Sequence, residues 1–182
     1  MRFWAAVTAT EALPAHSPHG EFVPLAAPGE DPYLWVQQVD RGADDAGWHL
    51  DLFAGDPRSA ADLAVSLGAR RVRAGADLVT LTTPAGQPFC LVNGHERQRH
   101  AAARQWPGGH RSLLDQVCLD LPSPVYEDEA RFWSTLTGWE RRLADLPEFS
   151  RLAEPRNVPV RILLQRLGAA DTGSARARRL LL

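Results

Sequence analysis

The chain has 182 residues, 45% of them hydrophobic and 23% charged, which is typical of one sizeable globular domain or two small ones. Its formal net charge of −2 gives no broad positive field for a phosphate backbone, and no apolar run approaches the roughly 20 residues that cross a bilayer. We therefore expect no nucleic-acid partner and no membrane span, and the lack of a secretory leader pattern predicts a cytoplasmic location.

The first predicted element is a helix whose sequence occurs twice. RFWAAVTATE at residues 2–11 is nearly repeated by RFWSTLTGWE at residues 131–140, 129 positions later. Further matches follow at offsets of 127 and 128. Residues 2–40 and 131–168 are therefore interpreted as two copies of one unit.

The second predicted helix lies in a segment that repeats more weakly. Residues 49–72 match residues 118–143 at offsets of 69 and 70. Asp56 can cap a helix by accepting hydrogen bonds from its first amides, Pro57 suits the first helical position and Gly68 suits a left-handed stop. An apolar stripe at helical spacing should face the core, formed by Ala60, Leu63, Ala64 and Leu67.

A third helix and several strands complete the units. The later helix is predicted at about residues 127–137, with Gly138 as its stop. Strand character follows the helices at residues 79–84, 88–92 and 160–167, and the PAGQP sequence between the first two favours a tight hairpin connection. Each unit then has one helix that can cover one small sheet.

Residues 93–110 are interpreted as a linker that contains a short helix, because charge in the middle is flanked by glycines. The segment is rich in histidine and arginine, and a phosphate or metal cluster is the alternative to a solvated surface. The solvated surface is favoured because the spacing does not match a ligand motif. The residues concerned are His95, Arg97, Arg99, His100, Arg104 and His110.

The segment HLDLFAGDPRSAADLAVSLGARRV followed by VTLTTPAGQPFCLV resembles the glyoxalase-like domains of the vicinal oxygen chelate superfamily. RFWSTLTGWE looks like the helix end and glycine stop of another module of such a domain. The resemblance implies an α+β fold in which repeated βαβββ modules form open cupped mixed sheets, with the helices on the convex face.

The same resemblance predicts how the modules divide the chain. Modules one and two would form a glyoxalase-like domain at residues 1–95, followed by a linker at residues 96–111. Module three would form an incomplete second domain at residues 112–182. The first strand of module one and the whole of a fourth module are expected to be missing, and a homodimer would complete them.

Strand alternation predicts which residues line the cup. In HLDL, His49 and Asp51 share one face of the strand, and the two leucines share the face that should meet the helix. The same rule places Cys118 and Asp120 on the corresponding face of module three. These polar side chains are candidates for ligand binding.

Metal-using members of the superfamily have a His or Glu on a module's first strand and a Glu on a last strand. His49 matches the first position, whereas Cys90 stands where the glutamate would be. A catalytic zinc site normally has three protein ligands, and magnesium, manganese and iron(II) in such sites favour carboxylate oxygen. The resemblance therefore implies an incomplete metal site, with His49 and Cys90 as its candidate ligands.

Two further strands contribute candidates for the cup. Trp35 and Gln37 flank Val36, and Gln165 follows Leu164 in the later copy. If the valine and the leucine face the helices, their neighbours face the cup. There they could give a ligand a stacking surface and an orienting hydrogen bond, and the alternative is that they complete a small core.

The sequence contains none of the common catalytic and nucleotide-binding motifs. GxSxG, HExxH, Walker and GxGxxG motifs do not occur, and all twenty basic residues are arginine, which excludes lysine-based chemistry. The favoured hypothesis is a protein that binds a small molecule in the cup of the sheet, without a cofactor or a complete metal site. The alternative is a metal-dependent lyase, isomerase or dioxygenase of the vicinal oxygen chelate type, with a divalent metal as its cofactor.

Overall fold

A computed structural model gives the fold of the chain. It describes residues 1–17, 19–39, 47–94, 102–155 and 158–168, together with the backbone of residues 176–181. Within these described residues, each helix is too short or too polar to cross a membrane.

The first half of the chain contains modules one and two. Module one consists of helix α1 (Arg2–Thr8) and strands β1 (Glu11–Ala12), β2 (Phe22–Ala26) and β3 (Leu34–Gln37). Module two consists of β4 (Leu50–Ala54), α2 (Pro57–Ser66), β5 (Arg70–Ala74), β6 (Leu78–Thr82) and β7 (Pro88–Asn93). Module two therefore has the predicted βαβββ order.

The second half contains a small hairpin and module three. The hairpin consists of β8 (Arg104–Gln105) and β9 (Arg111–Ser112). Module three consists of β10 (Gln116–Pro122), a 3₁₀ turn (Ser123–Val125), α3 (Tyr126–Thr137), β11 (Glu140–Leu143), β12 (Phe149–Ala153) and β13 (Arg161–Leu167), and β14 (Arg176–Leu181) follows it.

Modules two and three each form a mixed sheet covered by one helix. The strand order is β4-β7-β6-β5 in module two and β11-β12-β13-β10-β14 in module three. The first and last strands of each module, β4 with β7 and β10 with β13, pair in parallel, and the other pairs are antiparallel. The α+β fold with open mixed sheets is confirmed. We call the sheet surface of module two that is turned away from α2 the helix-free face.

The repeats predicted from the sequence correspond to repeated elements. Strand β2 corresponds to β12 at an offset of 127, and α1 corresponds to the end of α3 at an offset of 129. The environments of the copies differ, because Phe132 and Trp133 are buried whereas Phe3 is 62% exposed. The repeat therefore preserves backbone structure and changes packing.

The local signals of α2 are confirmed, and of its predicted core stripe only Leu63 is wrong. The Asp56 carboxylate accepts hydrogen bonds from the Arg58 and Ser59 amides at 3.0 and 3.4 Å, and Gly68 has a φ of 102°. Leu63 was placed in the core stripe by its spacing, yet it is 45% exposed and Ala61 is fully buried. The other three residues of the predicted stripe, Ala60, Ala64 and Leu67, lie in or against the core.

Modules two and three share a single hydrophobic core. Buried residues of β6 and β7 belong to the same cluster as buried residues of β10, α3 and β13. The Phe89 ring meets the Phe132 and Trp133 rings edge-on, at centroid distances of 5.9 and 5.2 Å. The structure does not test the predicted domain division, the missing strand and module, or the homodimer, so these stay predictions.

The described end of the predicted linker contributes to the β8–β9 hairpin, and the short helix predicted within the linker stays a prediction because residues 95–101 lie outside the described residues. In the hairpin, the Trp106 ring stacks on His110, with 6.1 Å between ring centroids. The Trp106 indole N–H donates to the Ser112 hydroxyl, which donates to the Val7 carbonyl and ties the hairpin to α1. His95, Arg97, Arg99 and His100 lie outside the described residues.

Ala9 and Gly138 end the two copies of the repeated helix in the same left-handed conformation, with φ of 55° and 71°. A side chain strains this conformation by about 1 kcal/mol. We therefore expect Ala9→Gly to raise the free energy of unfolding by about 1 kcal/mol and Gly138→Ala to lower it by about as much. Urea denaturation of the two variants measures both effects, and shifts of the same sign would contradict the explanation.

Candidate functional site

Strand β4 and the residue before it present a polar pair to solvent. Leu50 and Leu52 pack against the shared core, whereas the alternate side chains turn to the helix-free face. The His49 and Asp51 side chains are 40% and 50% exposed. The alternation of the HLDL segment is thus the reason why an imidazole and a carboxylate stand together on an accessible surface.

Neighbouring strands bring a thiol and a hydroxyl to the same place. Asp51 is in register with Cys90 of β7, and Cys90 is in register with Thr80 of β6. The Thr80 hydroxyl oxygen lies 3.4 Å from the buried Cys90 sulfur, and His49 Nε2 lies 3.1 Å from Asp51 Oδ1. Ligand atoms of His49, Asp51 and Cys90 all lie within 4.8 Å of one another.

The electrostatics of this cluster favour a charged imidazole. Burial opposes protonation of His49, but hydrogen bonds and Coulombic attraction from Asp51 and Cys90 outweigh it and raise the pKa of His49 to about 9. At neutral pH the imidazole is therefore protonated. It can donate hydrogen bonds and pair with Asp51.

Module three has an equivalent cluster, and that cluster is buried. Strand β10 places Cys118 and Asp120 on one face, and Asp120 is in register with Gln165 of β13. The Cys118 sulfur lies 3.6 Å from an Asp120 carboxylate oxygen and 3.8 Å from Gln165 Oε1. Cys118 and Asp120 are only 1% and 2% exposed. The three side chains predicted for module three do meet, with Cys118 and Asp120 buried and Gln165 partly exposed.

Trp35 and Gln37 do not join either cluster through a shared sheet. Both lie on β3, which belongs to the separate three-stranded sheet of module one. Trp35 is 39% exposed, and its ring meets His16 edge-on at a centroid distance of 6.0 Å. Its neighbour Val36 packs against a second, smaller hydrophobic cluster.

The sequence of the first half of the chain matches a known protein family. A family model described as a glyoxalase-like domain matches residues 1–92, half of the chain. The chain belongs to the glyoxalase-like domain family. The match covers the polar cluster on β4 and β7 of this glyoxalase-like protein. No curated protein sequence matches it.

Two solved enzymes have the same fold, and this chain spans only part of the length of each. A triple mutant of 4-hydroxymandelate synthase from Streptomyces coelicolor is 19% identical, with a TM-score of 0.59 over 91% of this chain and 57% of that one. BphC, a halotolerant catechol dioxygenase, is 14% identical, with a TM-score of 0.57 over 92% of this chain and 61% of that one. At this identity the likeness shows the fold alone.

The superfamily resemblance implies a divalent metal, so the donor atoms of the glyoxalase-like protein can be compared with what a metal requires. Asp51 adds a carboxylate to the two ligands predicted from sequence, which gives three converging donors. Imidazole nitrogen, thiolate sulfur and carboxylate oxygen are all zinc ligands, and three of them match a catalytic zinc site. The residues fit zinc better than magnesium, which prefers a set of oxygen ligands.

Sequence reasoning missed three features of this face. Asp51 was not counted among the candidate metal ligands, and Thr80 was not counted at all. Arg73 was also missed, although it is in register with Thr80. Strand pairing supplies the missing signal, because residues in register on adjacent strands share a face.

Proposed function

We propose that the helix-free face of module two binds a small molecule without a metal ion. The polar cluster of His49, Asp51 and Cys90 would orient the ligand. Beside it, Phe53 and Leu78 lie on either side of β7 in register with Val92 and are 45% and 40% exposed. An apolar surface with a few polar groups is the usual composition of a small-molecule site.

The difference between two equivalent modules carries this proposal. His49 and Asp51 have exposed side chains, whereas Cys118 and Asp120, at the matching positions of module three, are buried. Equivalent strands thus expose this polar pair in module two and bury it in module three, where β14 pairs with β10. An accessible polar cluster next to exposed apolar side chains is the better ligand site.

The charge of His49 supports binding without a metal. An imidazole must be neutral to bind a metal ion, and the pKa of His49 is raised to about 9. At neutral pH a metal has to displace that proton and separate His49 from Asp51, which weakens its binding. A ligand that accepts a hydrogen bond from the imidazolium leaves that proton in place.

The second candidate function is a metal-dependent lyase, isomerase or dioxygenase of the vicinal oxygen chelate type. The convergence of three ligand atoms within 4.8 Å favours it. His49, Asp51 and Cys90 would hold the metal, which would supply Lewis-acid polarisation of a substrate oxygen. Thr80 would position the Cys90 sulfur through its hydroxyl.

The NMR signals of the His49 imidazole test both candidates. We expect the imidazole to titrate near 9 in protein treated with a chelator, and a compound from a metabolite panel to shift its signals saturably at neutral pH. His49→Gln and Asp51→Asn should each weaken the binding of that compound by about tenfold, which corresponds to the loss of one charge-assisted hydrogen bond. His110→Gln, an exposed change in the β8–β9 hairpin, is the matched control.

Two outcomes would replace the proposal. If the whole panel leaves the His49 signals unmoved, or if His110→Gln weakens binding as much as His49→Gln, the helix-free face is not the binding site. If zinc binds stoichiometrically at neutral pH, releases a proton and requires Cys90, the metal-dependent candidate takes its place.

A further inference from the structure

The edge strand of module two contains a β-bulge that changes where its arginines lie. Arg70 pairs with Thr82 and Arg71 with Leu81, but Arg73 pairs with Thr80 because the register shifts between Arg71 and Arg73. In a regular strand, residues three positions apart lie on opposite faces. The extra residue in β5 brings Arg73 to the same face as Arg70.

The position of Arg71 identifies that face. The Arg71 guanidinium pairs with Asp62 of α2 at 2.6 Å, so it lies on the helix side of the sheet. Its partner Leu81 is fully buried in the core beneath the helix. Arg70 and Arg73 therefore lie on the helix-free face, together with the cluster of the proposed binding site.

A continuous row of side chains connects the arginines to that cluster. Arg73 is in register with Thr80, Thr80 with Cys90, and Cys90 with Asp51. Three strand spacings of about 4.8 Å separate the ends of this row by about 14 Å. An arginine side chain is long enough to span part of this distance, so one small molecule can contact both ends.

The charges on this face are unbalanced. Arg71 has a carboxylate partner, whereas within the described part of the chain neither Arg70 nor Arg73 has a carboxylate within 4.0 Å. His49 and Asp51 form a pair with each other. The two arginines thus leave a net positive charge beside the ligand site, and a guanidinium binds carboxylate or phosphate through paired hydrogen bonds.

We infer that the small molecule bound on the helix-free face carries an anionic group, a carboxylate or a phosphate, which Arg70 and Arg73 bind. This inference rests on the proposed function and adds the chemical class of the ligand. Exposed arginines also discourage edge strands from pairing with other chains. If this were the only role of Arg70 and Arg73, their replacement would affect ligand binding no more than replacement of Arg71, and the experiment tests this.

Three aromatic probes separate charge from shape: phenyl phosphate, benzoate and neutral benzyl alcohol. Each is titrated at constant ionic strength while the amide NMR signals of Thr80 and Cys90 are followed. We expect one anion to bind saturably, at least about tenfold more tightly than benzyl alcohol, since hydrogen bonds between charged groups contribute that much. The preferred anion then distinguishes a phosphate from a carboxylate ligand.

Matched variants test whether Arg70 and Arg73, which the bulge places on the helix-free face, bind the anion. The double variant Arg70→Gln/Arg73→Gln should lower the affinity for the preferred anion by at least about tenfold and leave the affinity for benzyl alcohol unchanged. Arg71→Gln, which removes the same charge from the opposite face, should change neither. An equal loss in Arg71→Gln overturns the inference, because long-range charge alone would then explain binding.

The probes also separate this inference from the proposed function. If benzyl alcohol shifts the Thr80 and Cys90 signals and both anions bind no more tightly, the inference is wrong and the binding face remains. If the signals stay unmoved with all three probes and with the metabolite panel, both are wrong.

Discussion

Replacing Phe132 by alanine should lower the free energy of unfolding by about 3 to 5 kcal/mol, as for other buried phenylalanines. Phe132 is 3% exposed, and its ring packs edge-on against Phe89 and Trp133 in the core that modules two and three share. The equivalent change Phe3→Ala, in the first copy of the repeat, should alter stability by about 0.5 kcal/mol or less. The Phe3 ring is 62% exposed, so little of its surface leaves water on folding.

Urea denaturation followed by tryptophan fluorescence and by circular dichroism measures both variants. In Phe132→Ala the two signals should shift together, because the shared core couples module two to module three. Separate transitions would mean that the modules unfold independently. Equal losses in the two variants would contradict the difference in burial between the two copies.

This pair of variants illustrates how far sequence predicts the fold. The repeated RFW segments identified two of the helices, and the offsets matched the segments that follow them, because backbone structure depends on local signals. Burial depends on what packs against each copy. The Phe3 and Phe132 environments therefore differ although their neighbours in sequence are the same.

The misplacement of Leu63 on α2 has a similar cause. Leu63 and Ala61 both belong to stripes with helical spacing, and the leucine is the more hydrophobic choice. The sheet beneath the helix decides between them, and the smaller Ala61 is the one in contact. A single sequence does not contain the shape of that surface.

The candidate site was predictable in part. Alternation along β4 identified His49 and Asp51 as neighbours on one face, and the resemblance pointed to Cys90. Arg73 could not be found in this way, because a strand without a bulge would have turned it to the helix side. The bulge depends on pairing with β6, which strand periodicity does not reveal.

Glu129 has an environment that its position in the sequence does not indicate. A glutamate in the first turn of a helix normally lies in solvent near the helix N-terminus. In α3 it is fully buried, and its Oε1 accepts a hydrogen bond of 2.7 Å from the Ala85 amide in the turn between β6 and β7. It therefore links module three to module two.

Removing this link should be costly. Glu129→Ala leaves the Ala85 amide without its acceptor and opens a cavity, so we expect a loss of about 3 kcal/mol in the free energy of unfolding at about pH 5. Glu129→Gln retains an acceptor oxygen and nearly the same shape, and it should stay within about 1 kcal/mol of the parent protein at that pH.

The pH dependence separates the charge of Glu129 from its hydrogen bond. Burial raises the pKa of this carboxyl above its ordinary value of 4.5, and the Ala85 amide opposes the shift. The folded state thus holds the proton more tightly than the unfolded state, and the resulting stability is present below pH 4.5 and is lost as pH rises through the folded pKa. Glu129→Gln cannot lose a proton, so its stability relative to the parent protein should increase as pH rises from about 5 to about 8. Urea denaturation of both proteins across that range measures the difference, and a constant difference would show that the carboxyl has its ordinary pKa in the folded protein.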